Sequence, residues 1–415
     1  MTATTEAPVV PLAGLPHRPR LLPGLPVLHR TTGETQVGVD PRYAVVITDA
    51  PDELANTLPA VNGRQTMKEL LARAGPAQGP ALAQALAGLV EMGLVEDAAA
   101  GGGAPVRQAP ARMAADRTAW ALRAGCPPAR VHAVRASALV SVYGNGRVAS
   151  SVATMLAACG VGWVLPLAGG EVEPEDIGCG YLAADVGRPR KAASVQAVHR
   201  IAGETTVDDL PPSRLPDVAV LADTMVPDPR LAAALTMLGV PHLIARAGDG
   251  VGVVGPLVVP GRTGCLRCLE LYRTDGDPCW PSLATQLVER RQQADLASAQ
   301  VAAAFAVGQV LQVLHGPVRP WSPASPAGDR PPTQPQPQPE PQPQPEPAAD
   351  PPESGLMSFG ASVEIDVLAG QISRTGLDRH PRCSFCRAGG AAGNGQRNEQ
   401  SSGGDRLEGQ KSAGR

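Results

Sequence analysis

From Val140 to Gly162 the chain sets an apolar run, Val140-Ser-Val142-Tyr143, before a group of small residues and then an apolar repeat at Val148, Val152, Met155 and Leu156. Alternation followed by helical spacing reads as strand, tight turn and helix. The pattern recurs downstream. Gly162–Leu165 predicts a second strand, Lys191–Ile201 a helix, and Val218–Leu221 a third strand ending at Asp223. Leu231–Leu238 reads as helical, His242–Ala245 as strand, and Gly252–Pro260 as strand-rich. Alternating strands and helices predict an α/β domain with a Rossmann-like, mostly parallel sheet.

The N-terminal part has a different rhythm. Gln36–Val39 and Tyr43–Ile47 are β-rich runs around Asp40-Pro41, which suggests a hairpin. Thr66-x-x-Glu69 is a capping box that opens a helix through Leu70 and Leu71. A second helix, Ala81–Met92, stops at Gly93, and Leu94-Val95-Glu96 looks like a returning strand. Residues 34–97 are therefore expected to form a small winged-helix-like α+β domain. Residues 1–33, broken by prolines, are expected to be a flexible leader, and 98–114 a linker. The α/β domain would occupy 115–319 and resume at 354–388. Between them, 320–353 is a Pro/Gln-rich insert expected to be extended and disordered. Val363–Val367 behind it is strand-like, and the tail 389–415 is expected to be disordered.

Composition narrows the uses. The 415 residues carry a net charge of -3, which supplies no field for nucleic acid, and Ala81–Met92 has no Lys or Arg to meet phosphate. A peptide laid along the hairpin edge, Gln36 to Val46, is the expected use of the N-terminal module, with a purely structural cap as the plainer alternative. Met1–Arg30 has no signal-peptide pattern, and Val301–Leu314, interrupted by Gln309 and Gln312, reads as too short to span a bilayer. A cytoplasmic protein without a membrane partner is expected.

Two features carry chemistry. Gly144, Gly146 and Ala149 form G-x-G-x-x-A, in which small residues make the turn, admit a nucleotide close to the backbone and let helix pack on strand. Alone, the same pattern serves plain helix-on-sheet packing. Cys265-Leu-Arg-Cys268 and Cys383-Ser-Phe-Cys386 are two C-x-x-C pairs, which together complete a closed Cys₄ site for structural Zn²⁺, with iron as the other candidate. Cys126, Cys159, Cys179 and Cys279 are unpaired by spacing and read as buried or surface thiols; Cys279 is the one to test as a nucleophile.

The order of these features resembles the ThiF/MoeB/ubiquitin-activating-enzyme superfamily over about 115–388, excluding the insert. The resemblance implies a domain that adenylates a carboxylate of a small protein or related substrate with ATP and Mg²⁺, commonly as a homodimer. It assigns the metal to Cys265, Cys268, Cys383 and Cys386. It places Gly144, Gly146, Ala149 and Lys191 at the nucleotide, and Asp223 near magnesium and the phosphates, where it would act catalytically. Lys191 and Asp223 have equally plain structural readings, as a surface lysine and a helix-capping acid.

The chain departs from the family at two places. The acidic residue that holds the ribose is replaced by Leu165-Pro166-Leu-Ala-Gly-Gly170, with Glu171 or Glu173 as possible substitutes, and the Asn-Leu-x-Arg-Gln segment corresponds to Gly178–Leu182. Losing two charge-assisted contacts of about 1.5 to 3 kcal/mol each would weaken ATP binding by orders of magnitude. The departure resembles the actinobacterial leader-peptide-binding proteins of thiazole/oxazole-modified peptide (TOMM, cyclodehydratase-type) biosynthesis, in which a winged-helix element is fused to a ThiF-like domain and a YcaO-type partner enzyme uses the ATP. Gly255–Gly261 and Asp277-Pro-Cys-Trp280-Pro281 carry that likeness. The expected function is thus a scaffold that presents a leader or precursor peptide. An active adenylyltransferase is the alternative, and a nicotinamide-dependent oxidoreductase a third, disfavoured by the Cys₄ pattern.

Overall fold

Short strands built from residues on both sides of the first helices open the fold. The computed structural model describes residues 14–51, 53–99, 110–208, 214–288, 290–316 and 356–386. The expected insert at 320–353, most of the linker and the tail at 389–415 lie outside the described residues. Strand β1 (Pro19–Leu21) pairs antiparallel with β5 (Val95–Asp97), while β2 (Val27–Thr31), β3 (Glu34–Val37) and β4 (Val45–Ile47) form a three-stranded antiparallel sheet with β3 in the middle. Helices α1 (Leu54–Thr57) and α2 (Met67–Glu91) lie between β4 and β5.

The capping box forms as expected: Thr66 Oγ1 accepts from Glu69 N–H at 3.2 Å, and Glu69 Oε2 accepts from Thr66 N–H at 2.8 Å. The two expected helices are joined into α2 across a kink, where Gly75 sits at φ 72° and is followed by Pro76, which has no N–H to continue the ladder. Leu58, Leu82, Leu86, Leu89 and Leu94 fill the core between α2 and the strands.

Two expectations for this region are corrected. Residues 14–33 are not a loose leader: they supply β1 and β2, Leu22 is 1% exposed, and Asp97 accepts from the N–H groups of His17 and Arg18 at 2.9 Å each. Strands this short, punctuated by prolines, show no alternation from which to read them. The hairpin at Gln36 and Val46 exists, yet Gln36 lies on the central strand with both neighbours in place. The free edges are those of β2 and β4.

After helices α3 (Ala114–Ala124) and α4 (Pro128–Ser137) the chain runs through β6 (Leu139–Tyr143), α5 (Arg147–Ala158), β7 (Trp163–Leu167), α6 (Arg190–Ile201), β8 (Val218–Ala222), α7 (Pro229–Met237), β9 (His242–Gly248) and β10 (Val251–Val258). Helices α8 (Leu266–Gly276), α9 (Trp280–Leu287) and α10 (Leu296–His315), then β11 (Ala361–Asp366) and β12 (Gln371–Gly376), complete it. The seven strands are ordered β12-β11-β10-β9-β8-β6-β7, and β10 and β12 run against the others. The reversal at β10 follows from Asp249-Gly250, whose φ angles of 56° and 82° suit a tight hairpin.

Strand β8 is buried along its length because helices cover both faces. On one face α5 and α10 pack together, with Ala299, Ala302, Ala303 and Ala306 letting α10 approach Val148, Val152 and Leu156; on the other, Ala232 and Leu235 of α7 meet Ala219, Leu221 and Ile244. Helix α10 is longer than the sequence suggested. Its 20 residues satisfy the length and composition of a membrane span, but its apolar residues are spent on the sheet.

The packing of residues 14–33 makes a direct prediction. Leu22→Ala is expected to lower unfolding free energy by about 2–5 kcal/mol in a urea titration, as for a filled core position. A truly flexible leader would show no change.

Candidate functional site

The centre of the site is the junction of β6, α5 and β8. The chain leaves β6 at Tyr143, turns through Gly144-Asn-Gly146, and enters α5 with its first N–H groups unpaired within the helix. Asp223, directly after β8, has φ 64°, a left-handed conformation that Asp tolerates better than most residues, and this aims its carboxylate into the turn. Its oxygens accept from Gly146 N–H at 2.8 Å, Val148 N–H at 3.0 Å and Ala149 N–H at 3.1 Å. A β-carbon at Gly144 would lie 2.7 Å from Asp223 Oδ2, and one at Gly146 2.8 Å from Oδ1. The glycines therefore make room for the protein's own carboxylate, at the donors that would otherwise face a phosphate.

Asp223 is 2% exposed. Burial pushes its carboxyl up to about 6, against the pull of the Gly146, Ala149 and Val148 N–H groups. At neutral pH the group is thus an anion at the positive end of α5, which the helix dipole favours.

Around this junction lies a second charged layer. Asp176, 2% exposed, takes Arg190 Nε and Nη2 at 3.2 and 2.9 Å on one oxygen and Arg291 Nη1 at 2.7 Å on the other. Arg291 also pairs with Glu173 and donates to Asn145 O at 3.4 Å. Arg190 Nη1 donates to Gly169 O at 3.1 Å, filling the space after β7. Arg147, from the turn itself, reaches Ile177 O at 3.1 Å and Ala294 O at 2.7 Å. A polar cavity of about 300 Å³ remains between the turn and residues 291–295, lined by Gly146, Arg147, Asp176 and Arg291.

The cysteines meet on the opposite side of the sheet. Cys265 precedes α8 and Cys268 sits in its first turn, while Cys383 and Cys386 approach from the end of the described chain, anchored by His380 Nε2 to Asp275 Oδ2 at 2.9 Å. The four sulfurs lie within 4.8 Å of one another, with separations of 3.8 Å (Cys265 to Cys268), 3.6 Å (Cys265 to Cys383) and 3.5 Å (Cys268 to Cys386). A tetrahedron with metal–sulfur bonds near 2.3 Å has edges of about 3.8 Å, so this donor set fits one metal ion with no open position. Burial, followed by the mutual repulsion of the thiolates, pushes Cys265 well up, and burial pushes Cys268 to about 11; a bound cation would reverse both. Beside the cluster, α7, α8 and α9 frame an apolar cavity of about 700 Å³ in which Trp280 Nε1 donates to Glu270 Oε2 at 2.6 Å.

Gly144, Gly146, Ala149 and Asp223 are brought together. Lys191 is exposed in the first turn of α6, and its neighbour Arg190 is the residue turned inward. Glu171 is exposed, and Glu173 is engaged by Arg291 and, at 3.5 Å, by Arg190. Sequence reasoning missed Arg190, Arg291 and Asp176. No local pattern marks them, because Arg291 comes from the far side of α9. Cys159 and Cys179 are pushed by burial to about 11 and Cys126 upward, whereas Cys279 is exposed.

The Asp223 environment has a pH signature. The native carboxyl protonates near 6 and the unfolded one near 3.8, so between these values the native state holds the extra proton. The stability owed to the neutral form is present in full below the unfolded value and is lost as pH rises through about 6. Asp223→Asn should flatten this stretch of the stability profile, by on the order of 1–3 kcal/mol, in denaturant titrations from pH 4 to 7. An unchanged slope would place Asp223 in a different environment.

No protein-family model matches the chain, and no curated protein does. Solved structures do. The ATP complex of E. coli MccB aligns with a TM-score of 0.55 at 15% identity, covering 89% of this chain and 99% of that one. MccB described as the microcin C7 biosynthetic enzyme, in complex with N-formylated MccA, gives 0.54 at 16% identity with the same coverage. PaaA gives 0.55 at 17% identity, covering 85% of this chain and 98% of its own. The alignments span nearly the full length of both proteins, and the chain therefore shares the fold of MccB and PaaA.

Proposed function

We propose that this protein is a ThiF-like, zinc-bearing scaffold that binds a leader or partner peptide and presents it for modification, without turning over ATP itself. The observation that carries this reading is the Asp223 carboxylate on the N–H groups of Gly146, Val148 and Ala149, where a nucleotide phosphate would have to sit. Arg190 at the end of β7 and the engagement of Glu173 by Arg291 support it, since one of the two acids that could hold a ribose is already paired, leaving the exposed Glu171. Residues 34–97, together with β1 and β2, would act as a winged-helix-like recognition module. The peptide would add as a strand to an open edge, with β4 the candidate that keeps the hairpin reading.

Zn²⁺ is the ion that four thiolates in a closed tetrahedral site suit best, and Cys265, Cys268, Cys383 and Cys386 would hold it as a structural staple. It would supply no chemistry to the peptide. The apolar cavity beside it would receive side chains of the presented peptide. A YcaO-type partner enzyme would carry out the ATP-dependent step, in the cytoplasm, on a TOMM-type precursor. A homodimer is compatible with this arrangement.

The second reading is an ATP-dependent adenylyltransferase. It is favoured by likeness to MccB, which has been solved with ATP and, separately, with AMPCPP together with MccA. There Gly144, Gly146, Ala149 and Lys191 would meet the phosphates and Asp223 would leave the turn to place magnesium.

Pyrophosphate exchange with purified protein and candidate precursor peptides separates the two. The scaffold reading expects peptide binding with no exchange; exchange that needs both peptide and Asp223 would replace it with the enzyme. Val45→Pro in β4 is expected to abolish peptide binding while leaving metal content intact, and binding that survives it would move the peptide off that edge. Metal analysis of reduced protein should return one zinc per chain, and Cys383→Ser should release it and lower stability.

A further inference from the structure

Residues 290–295 form no helix and take part only in an isolated bridge between Arg291 and Thr224, yet they are tied down around the glycine turn. Gln292 N–H donates to Asp223 O at 2.8 Å, and Gln292 Oε1 accepts from Arg246 at 3.2 Å. Arg291 reaches across to Asp176 and Glu173, and Arg147 holds Ala294 O from the other side. Asp295 then caps α10 through Ser298 N–H at 2.9 Å. An irregular surface segment ordinarily has solvated backbone. Here two guanidinium groups, one from the turn and one from the segment itself, staple it along the small polar cavity that it helps to line.

The geometry points to a two-barrier closure: Asp223 plugs the turn from within, and residues 290–295, stapled by Arg147 and Arg291, strap it shut from outside, so phosphate-bearing ligands are excluded until both give way. This goes beyond the peptide reading and does not need it. The barriers act in series. Removing the carboxylate leaves the strap in place, because Gln292 is bonded to the main-chain oxygen of residue 223 and Arg291 to Asp176. Removing Arg291 leaves the three N–H donors still occupied. A phosphate gains the donors only when both are absent, so the two substitutions must be strongly non-additive.

A double-mutant cycle tests this, with inorganic pyrophosphate and Mg²⁺ as the probe in calorimetric titration. Asp223→Gly removes the plug at a φ of 64° that glycine adopts freely, and Arg291→Gln removes the staple to Asp176 and Glu173. Each single variant should bind pyrophosphate less than about tenfold more tightly than the parent, and the double variant at least about 100-fold more tightly. Asp223→Gly binding as tightly as the double variant would show that the strap is no barrier. A double variant no tighter than the parent would show that the turn is not a closed anion site.

Should Asp223→Gly lose its fold, Asp223→Asn completes the same cycle with an expected gain of about tenfold in the double variant, and no gain overturns the closure. The strap has a second, independent readout in native trypsin cleavage after Arg290. Arg291→Gln should speed this cut by at least about tenfold, and Glu173→Gln, whose exposed carboxylate is only part of the staple, by about threefold. Unchanged cleavage in both variants would overturn the strap. Peptide binding at β4 is read separately, so failure of either proposal leaves the other visible.

Discussion

The structure turns on a single carboxylate. Asp223 ends β8, neutralises the positive end of α5, fills the space left by Gly144 and Gly146, and through its main-chain oxygen receives the segment that leads into α10. Three stretches distant in sequence, the end of β8, the glycine turn with α5, and the segment before α10, thus converge on one residue. Its burial would be costly without partners, and the three N–H donors at a helix N-terminus offset that cost. The same donors that satisfy the acid are the ones a nucleotide would need, so structural satisfaction and nucleotide access compete for one set of atoms.

A second constraint works on the opposite side of the sheet. Cys265 and Cys268 lie at the start of α8, while Cys383 and Cys386 arrive after β11 and β12, across a long stretch of sequence. Closing so large a loop is costly in chain entropy, though the cost grows only slowly with length, and one metal bound by four thiolates can hold it. His380 and Arg382 on Asp275 add a polar clasp beside the cluster. Between the cysteine cluster and the carboxylate, the sheet is tied at two separate places.

These two constraints act at separate places in the fold. The cysteine cluster ties the end of the described chain to the start of α8, while Asp223 and the arginine layer around it occupy the glycine turn. Arg190 and Arg291 share Asp176 so closely that removing the acid would strand buried charge, at a cost on the order of 3–5 kcal/mol. A network of that stake resists rearrangement, which under the proposed scaffold function would suit a docking frame. The N-terminal unit leaves strand edges open at β2 and β4, as the large sheet does at the exposed β12.

Much of this was legible in the chain. The strand-turn-helix at Val140–Gly162, the capping box at Thr66, the strand ending at Asp223 and the pairing of two C-x-x-C motifs each follow from local pattern, because a short-range period or a fixed ligand spacing dictates them. The packing of residues 14–33 was hidden, since three- to five-residue strands between prolines carry no period and gain their order from distant partners. So were Asp176, Arg190 and Arg291, which are charged residues in unrelated segments until the fold lays them together. Amino-acid order determined that a glycine turn and an acid would both be present. Only the tertiary structure decided that the acid would occupy the turn, because that depends on a left-handed backbone at the end of β8 and on the neighbourhood of β6 and β8 in the sheet.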